Sequence, residues 1–130
     1  MYSLSIYELK LYFERVLSLH QEYNKNRHFA VLQLFIVLLY EFAEMFAVNN
    51  KGEQAKLGRA KDFYNSLDRE LIVNLFRTRG LIVHRNYLIT EDRLFEFYKT
   101  FEKRIENLEQ FFKNCIESQE SALKEVDSFN

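Results

Sequence analysis

The sequence predicts an all-α fold, a four- to five-helix up-and-down bundle forming a single domain over residues 1–130. Three observations predict it. Proline is absent and glycine occurs only at Gly52, Gly58 and Gly80, too few for the tight turns of an all-β chain. Hydrophobic residues make up 48% of the 130 positions, too many for a disordered chain and enough to fill one core. Those residues recur at three- and four-residue steps over long stretches, the period of one helix face.

The elements follow in order. Over residues 3–24, Leu4, Tyr7, Leu11, Val16 and Leu19 form an apolar stripe that Phe13 and Leu17 widen, with Ser3 or Ser5 as N-cap. The polar run QEYNKNR (21–27) reads as a turn. Residues 28–48 are apolar nearly all round, as in the central helix of a bundle or one that also faces a partner. Glu41 and Glu44 sit in its second half, and a buried carboxylate is costly unless paired. At least one of them should therefore face solvent or a cation.

NNKGEQAKLG (49–58) reads as the clearest loop, followed by a short helix through Tyr64. Ser66 is the expected cap of a helix starting at Leu67, and Asp68 and Glu70 suit its positive end. Thr90 is the expected cap of the last helix. That helix carries Leu94, Phe97, Tyr98, Phe101, Ile105, Leu108, Phe111, Phe112 and Cys115 on one stripe. The stripe fades after Glu117, so residues 118–130 are expected to fray.

Composition narrows the function. A formal net charge of -1 excludes a general polycation, so any anion site must be local. The single Cys115 leaves no internal disulfide and no cysteine-based zinc site. The longest apolar run, residues 29–40, is shorter than the roughly 20 residues a bilayer requires. Glu8, Lys10 and Glu14 interrupt the N-terminus where a cleavable signal would be apolar. These features predict a cytoplasmic protein without a membrane partner. No glycine-rich phosphate loop, serine-nucleophile motif or metal-ligand spacing around His20 or His28 is visible, and no cofactor or metal is expected.

One stretch carries chemistry. RTRGLIVHRNY (77–87) places Arg77, Arg79, His84 and Arg85 around an apolar run. A guanidinium binds phosphate bidentately and stays charged, while an imidazole titrates near neutral pH and moves protons. Together they suffice for RNA cleavage without a metal. Spacing alone is ambiguous, because Arg15 and His20 repeat the Arg79–His84 separation. Charge context separates the two pairs. Residues 71–90 hold no Asp or Glu, whereas His20 has Glu14 and Glu22 nearby. With acidic residues at about 15% of positions, twenty acid-free positions arise by chance about once in 25. Arg15/His20 is therefore read as a decoy. On a regular helix Arg77 and His84 share a face, and Gly80 is a point where the turn could loosen and bring Arg79 toward His84.

RTRGLIVHRNYLI resembles the signature of HEPN domains, small helical bundles with an arginine, four to six residues, then a histidine. LYEFAEMF (39–46) is similar to the acidic, aromatic second helix of some HEPN-like nucleases. The resemblance implies a metal-independent endoribonuclease of toxin–antitoxin or antiphage defence type, acting as a homodimer with a composite active site. It implies His84 as the proton-transfer group and Arg79 or Arg77 as the phosphate binder. Glu44, then Glu41, would be the supporting acid, and Thr78, Asn86 and Tyr87 are auxiliary candidates. RNA would be the substrate, and a cognate antitoxin or defence-complex subunit the protein partner. The chain departs from the pattern at Gly80, where many relatives carry a polar residue after the arginine. It departs again at Asn86, where many carry a tyrosine. Two other readings remain open: a non-catalytic HEPN-like module that binds RNA or a protein, and a helical adaptor unrelated to HEPN. In these, His84 is a structural histidine at a helix end and the arginines are solvated or paired with Glu41 or Glu44.

Overall fold

In the computed structural model of the chain, residues 5–56 and 67–129 are described, with side chains for 5–47 and 67–124. Among the described residues there are four α-helices, one 3-10 turn and no strand, and the helices form a bundle.

Helix α1 (Ile6–Asn26) starts where its sequence can satisfy free backbone N–H groups. Ser5 Oγ accepts from the Glu8 N–H at 3.1 Å and Glu8 Oε1 accepts from the Ser5 N–H at 3.3 Å, a reciprocal capping box. The turn expected over residues 21–27 is helical through Asn26. Tyr23 continues the buried stripe of Leu9, Phe13, Val16 and His20, and that packing outweighs the local polarity. The helix ends at Arg27, at φ 50°, whose N–H donates to the Tyr23 carbonyl at 2.6 Å. Arg27 thus takes the left-handed position that glycine usually fills.

Helix α2 (Phe29–Lys56) contacts α1 and both later helices, and its Leu32, Phe35, Ile36, Leu39, Phe42 and Phe46 are buried. The loop expected at 49–58 is helix through Lys56. An isolated glycine such as Gly52 costs a helix only about 1 kcal/mol against alanine, too little to end it here. The short helix expected through Tyr64 and the Ser66 cap lie outside the described residues. Within α2, Phe29–Ala47 is 19 residues of mean hydropathy 1.8, long and apolar enough by length and composition to cross a membrane. It extends past the 29–40 run because Glu41 and Glu44 do not break its hydropathy. The same stretch supplies the buried centre of the bundle.

Helix α3 (Arg69–His84) starts two residues later than the expected Leu67, because Asp68 caps it: its Oδ1 accepts from the Leu71 N–H at 3.1 Å. Arg104 of the last helix holds the same carboxylate, with its Nε donating to Asp68 Oδ2 at 2.6 Å and its Nη2 to Oδ1. The helix runs unbroken through Gly80 and is followed by the 3-10 turn Asn86–Leu88.

Helix α4 (Glu91–Phe129) starts at Thr90, as the sequence predicts, with Thr90 Oγ1 accepting from the Arg93 N–H at 3.2 Å. Leu94, Tyr98, Phe101, Ile105, Leu108, Phe112 and Ile116 are buried, and Cys115 is half-buried, which pushes its thiol pKa up. Where the fading stripe predicts fraying, the backbone stays helical to Phe129, and Lys10 of α1 pairs with Glu120 at 3.0 Å. The core closes around Phe42, whose ring lies 5.4 Å from Phe13 and 5.0 Å from Phe112, joining α2 to α1 and α4.

Candidate functional site

Because α3 is continuous from Arg69 to His84, the positions of its arginines follow from helix geometry. Seven residues return His84 to within roughly 20° of Arg77, whereas five place Arg79 roughly 140° away. Leu71 and Leu75 are buried, so Arg77 and His84, both exposed, share the face turned from the core. Gly80 does not loosen the turn, and the expected swing of Arg79 toward His84 is not made. Beside Arg77 and His84 runs an apolar stripe of Val73, Phe76 and Val83, respectively 45%, 53% and 48% exposed, with Gly80 at its middle.

Arg79 faces α2. Its Nη2 donates to Glu41 Oε1 at 3.1 Å, and its guanidinium lies 5.9 Å from the Tyr40 ring centre. Its Nε is buried without a hydrogen-bond partner among the described residues, an unsatisfied donor that costs free energy. The acid-free window of the sequence is therefore not acid-free in space, because Glu41 arrives from a different helix. Of the two candidate acids, Glu41 contacts Arg79, while Glu44 is exposed. Burial raises the Tyr40 hydroxyl pKa above its ordinary value, and the charge and hydrogen bond of Glu44 raise it further.

The auxiliary candidates separate. Thr78 is half-buried on α3. Asn86 donates its amide to Gln33 Oε1 at 2.6 Å and to the Ile82 carbonyl at 3.1 Å, pinning the chain after His84 against α2. Tyr87 is 81% exposed and Arg85 is also exposed.

No family model, curated protein or solved structure matches the chain.

Elsewhere the molecule holds a polar network that the sequence reading missed. His20, set aside with Arg15 as a decoy, is 6% exposed and Glu109 of α4 is 8% exposed. Glu109 accepts from His20 Nδ1 at 2.8 and 2.9 Å. His20 Nε2 lies 2.7 Å from the Tyr98 hydroxyl, which donates to Asn24 Oδ1 at 2.9 Å. The imidazole stacks on Phe35 with ring centres 4.5 Å apart. Neither Glu14 nor Glu22 is its partner. The signal was present: His20 and Glu109 fall on the apolar stripes of their own helices, where an unpaired polar group is costly. What the two stripes did not reveal was that they meet. Because both His20 and Glu109 are almost fully enclosed and their polar atoms are paired with each other and with Tyr98, this network is read as structural.

Proposed function

We propose that the protein is a metal-independent endoribonuclease of HEPN type, a cytoplasmic toxin or antiphage effector that acts as a homodimer. The observation that carries this reading is the placement of Arg77 and His84 on one outward face of α3, with no carboxylate contacting either among the described residues. His84 would take the proton of a ribose 2′-hydroxyl as that oxygen attacks the adjacent phosphorus. Arg77 would hold the phosphate oxygens as charge builds on them. The products would be a 2′,3′-cyclic phosphate and a 5′-hydroxyl end, with the leaving oxygen protonated by a second histidine.

The stripe Val73–Phe76–Gly80–Val83 supports the dimer. These positions follow a three-four spacing and flank Arg77 and His84. Val73, Phe76 and Val83 are exposed, Gly80 is half-buried, and Phe76 also packs its ring, tilted, against Tyr40 with centres 5.5 Å apart. At Gly80 an added Cβ meets nothing within 4 Å, so the chain itself gives no steric reason for glycine there. Close approach of a second α3 gives one. Two copies packed along this stripe would bring two Arg77–His84 sets to one seam, completing a composite site in an up-and-down bundle. A cognate antitoxin or a defence-complex subunit would then act by covering that seam.

A second reading has its own observation. Arg79, the motif arginine by five-residue spacing, is engaged by Glu41 and turned from His84. This favours a non-catalytic module that binds RNA or a protein through Arg77 and Arg85. One experiment separates the two. Purified protein is incubated with a mixed RNA pool in excess EDTA beside His84→Ala. The ribonuclease reading expects cleavage by the wild type alone, with cyclic-phosphate ends. RNA binding without cleavage moves the function to the module, and cleavage by His84→Ala removes His84 from the chemistry.

A further inference from the structure

The end of the bundle next to His84 contains a cleft of about 350 Å³, formed by the C-terminus of α1 and the first turns of α2 and α4. That volume is at the small end of the ligand-sized range of roughly 300–1,000 Å³. Tyr23, Arg27, Phe29, Leu32, Glu91, Asp92 and Phe95 line it. Asn86, two residues past His84, donates to Gln33, one turn along α2 from Phe29, so the cleft and the Arg–His face belong to the same end.

Its lining is chemically unusual in what it leaves unengaged. Neither Phe29 nor Phe95 has an aromatic partner among the described residues. Glu91 and Asp92 have no ion pair or side-chain hydrogen bond there, and neither does the Arg27 guanidinium, which lies 5.1 Å from the Tyr23 ring centre and 5.9 Å from that of Tyr98. Opposite charges thus line one small cleft without pairing. Arg27 also occupies a left-handed backbone position at φ 50°, so an arginine stands there despite its backbone cost. The complementary ligand has a flat ring, an anion at one end and N–H donors at the other.

We propose that this cleft binds a guanine nucleotide, its base against Phe29 and Phe95, its phosphate on Arg27, and its Watson–Crick edge on Glu91 or Asp92. A carboxylate only accepts hydrogen bonds. Among the four RNA bases, guanine alone offers two adjacent donors, N1–H and the 2-amino group, to its two oxygens. Adenine and cytosine set a ring acceptor beside the amine, and uracil flanks one N–H with two acceptors. Unstacked bases are commonly read by aromatic stacking plus hydrogen bonds to this edge. That the base belongs to an RNA strand rests on the ribonuclease reading above; the pocket itself does not depend on cleavage.

The test is a titration of the 130-residue chain with GMP, AMP, CMP and UMP, followed by amide resonances in two-dimensional NMR. GMP is expected to shift resonances at residues 23–32 and 91–95 and to bind at least about tenfold tighter than the other three, as hydrogen bonds to a charged acceptor allow. The double variant Glu91→Gln/Asp92→Asn should lose that preference. Arg27→Gly, which keeps the left-handed backbone available, should weaken GMP while leaving guanosine unchanged. Equal affinity for all four nucleotides, shifts elsewhere, or no binding by a folded protein would overturn the proposal, whether or not the same protein cuts RNA.

Discussion

At the residue scale, the His20–Glu109 contact shows how a pairing across the core sets the value of both groups. Glu109→Leu leaves the His20 Nδ1–H buried without its acceptor, at a cost of about 1–3 kcal/mol. His20→Phe together with Glu109→Leu removes both partners and should recover most of that loss, since apolar replacement of a whole pair is nearly neutral. Urea denaturation of the two single variants and the double checks this. Additive losses would mean that the pair is not coupled. Arg79 is the contrasting case. It reaches a single carboxylate at the bundle surface, with side chains 27% and 40% exposed for Arg79 and Glu41, so the pair contributes little stability by itself.

At the element scale, α3 carries two faces with different duties. Its inner face, Leu71 and Leu75, is fixed by the core, and its cap is shared with α4 through Arg104. Its outer face holds Arg77, His84 and the apolar stripe. Gly80 tests whether that outer face is an interface. Within one chain, Gly80→Ala puts a methyl into open space on a helix and should raise stability by about 0.5–1 kcal/mol. If two α3 helices pack at Gly80, the same change should weaken self-association. Thermal melts at low concentration and sedimentation equilibrium across a concentration series read the two effects separately. A variant that is stabilised but associates as the wild type would place the dimer seam elsewhere.

At the scale of the whole molecule, Asp68 and Tyr98 contribute to the acid and alkaline limits of stability. The Arg104 guanidinium beside Asp68 holds its carboxyl below the usual carboxylate range, assisted by the Leu71 N–H. A depressed folded pKa contributes stability above the unfolded value of about 3.9, and the contribution is lost as pH falls through the folded value. Burial pushes the Tyr98 hydroxyl up to about 12, with the nearby Glu102 charge adding and Arg27 opposing. A raised folded pKa gives stability that is complete below the unfolded value of about 10 and is lost as pH rises toward 12. Urea midpoints should therefore fall below about pH 4 and above about pH 10. Asp68→Asn should flatten the acid limb alone, and Tyr98→Phe the alkaline limb alone.

The division between sequence and tertiary structure follows from the range of the forces involved. Helical content, the Ser5 and Thr90 caps and most of the buried stripe are set by neighbours within four residues, and a 3.6-residue period reads them directly. The same local geometry placed Arg77 and His84 on one face before any packing was known. Local signals failed at Tyr23, where packing holds α1 together past a polar run, and at Gly52, whose helix penalty is too small to end α2. What only the tertiary structure decided are the partners. Glu41 for Arg79 is 38 residues away, Glu109 for His20 is 89 away, and Arg104 for Asp68 is 36 away. A sequence determines which face of a helix is apolar, but which charge meets which depends on the register between helices, and that is fixed only when their side chains interlock.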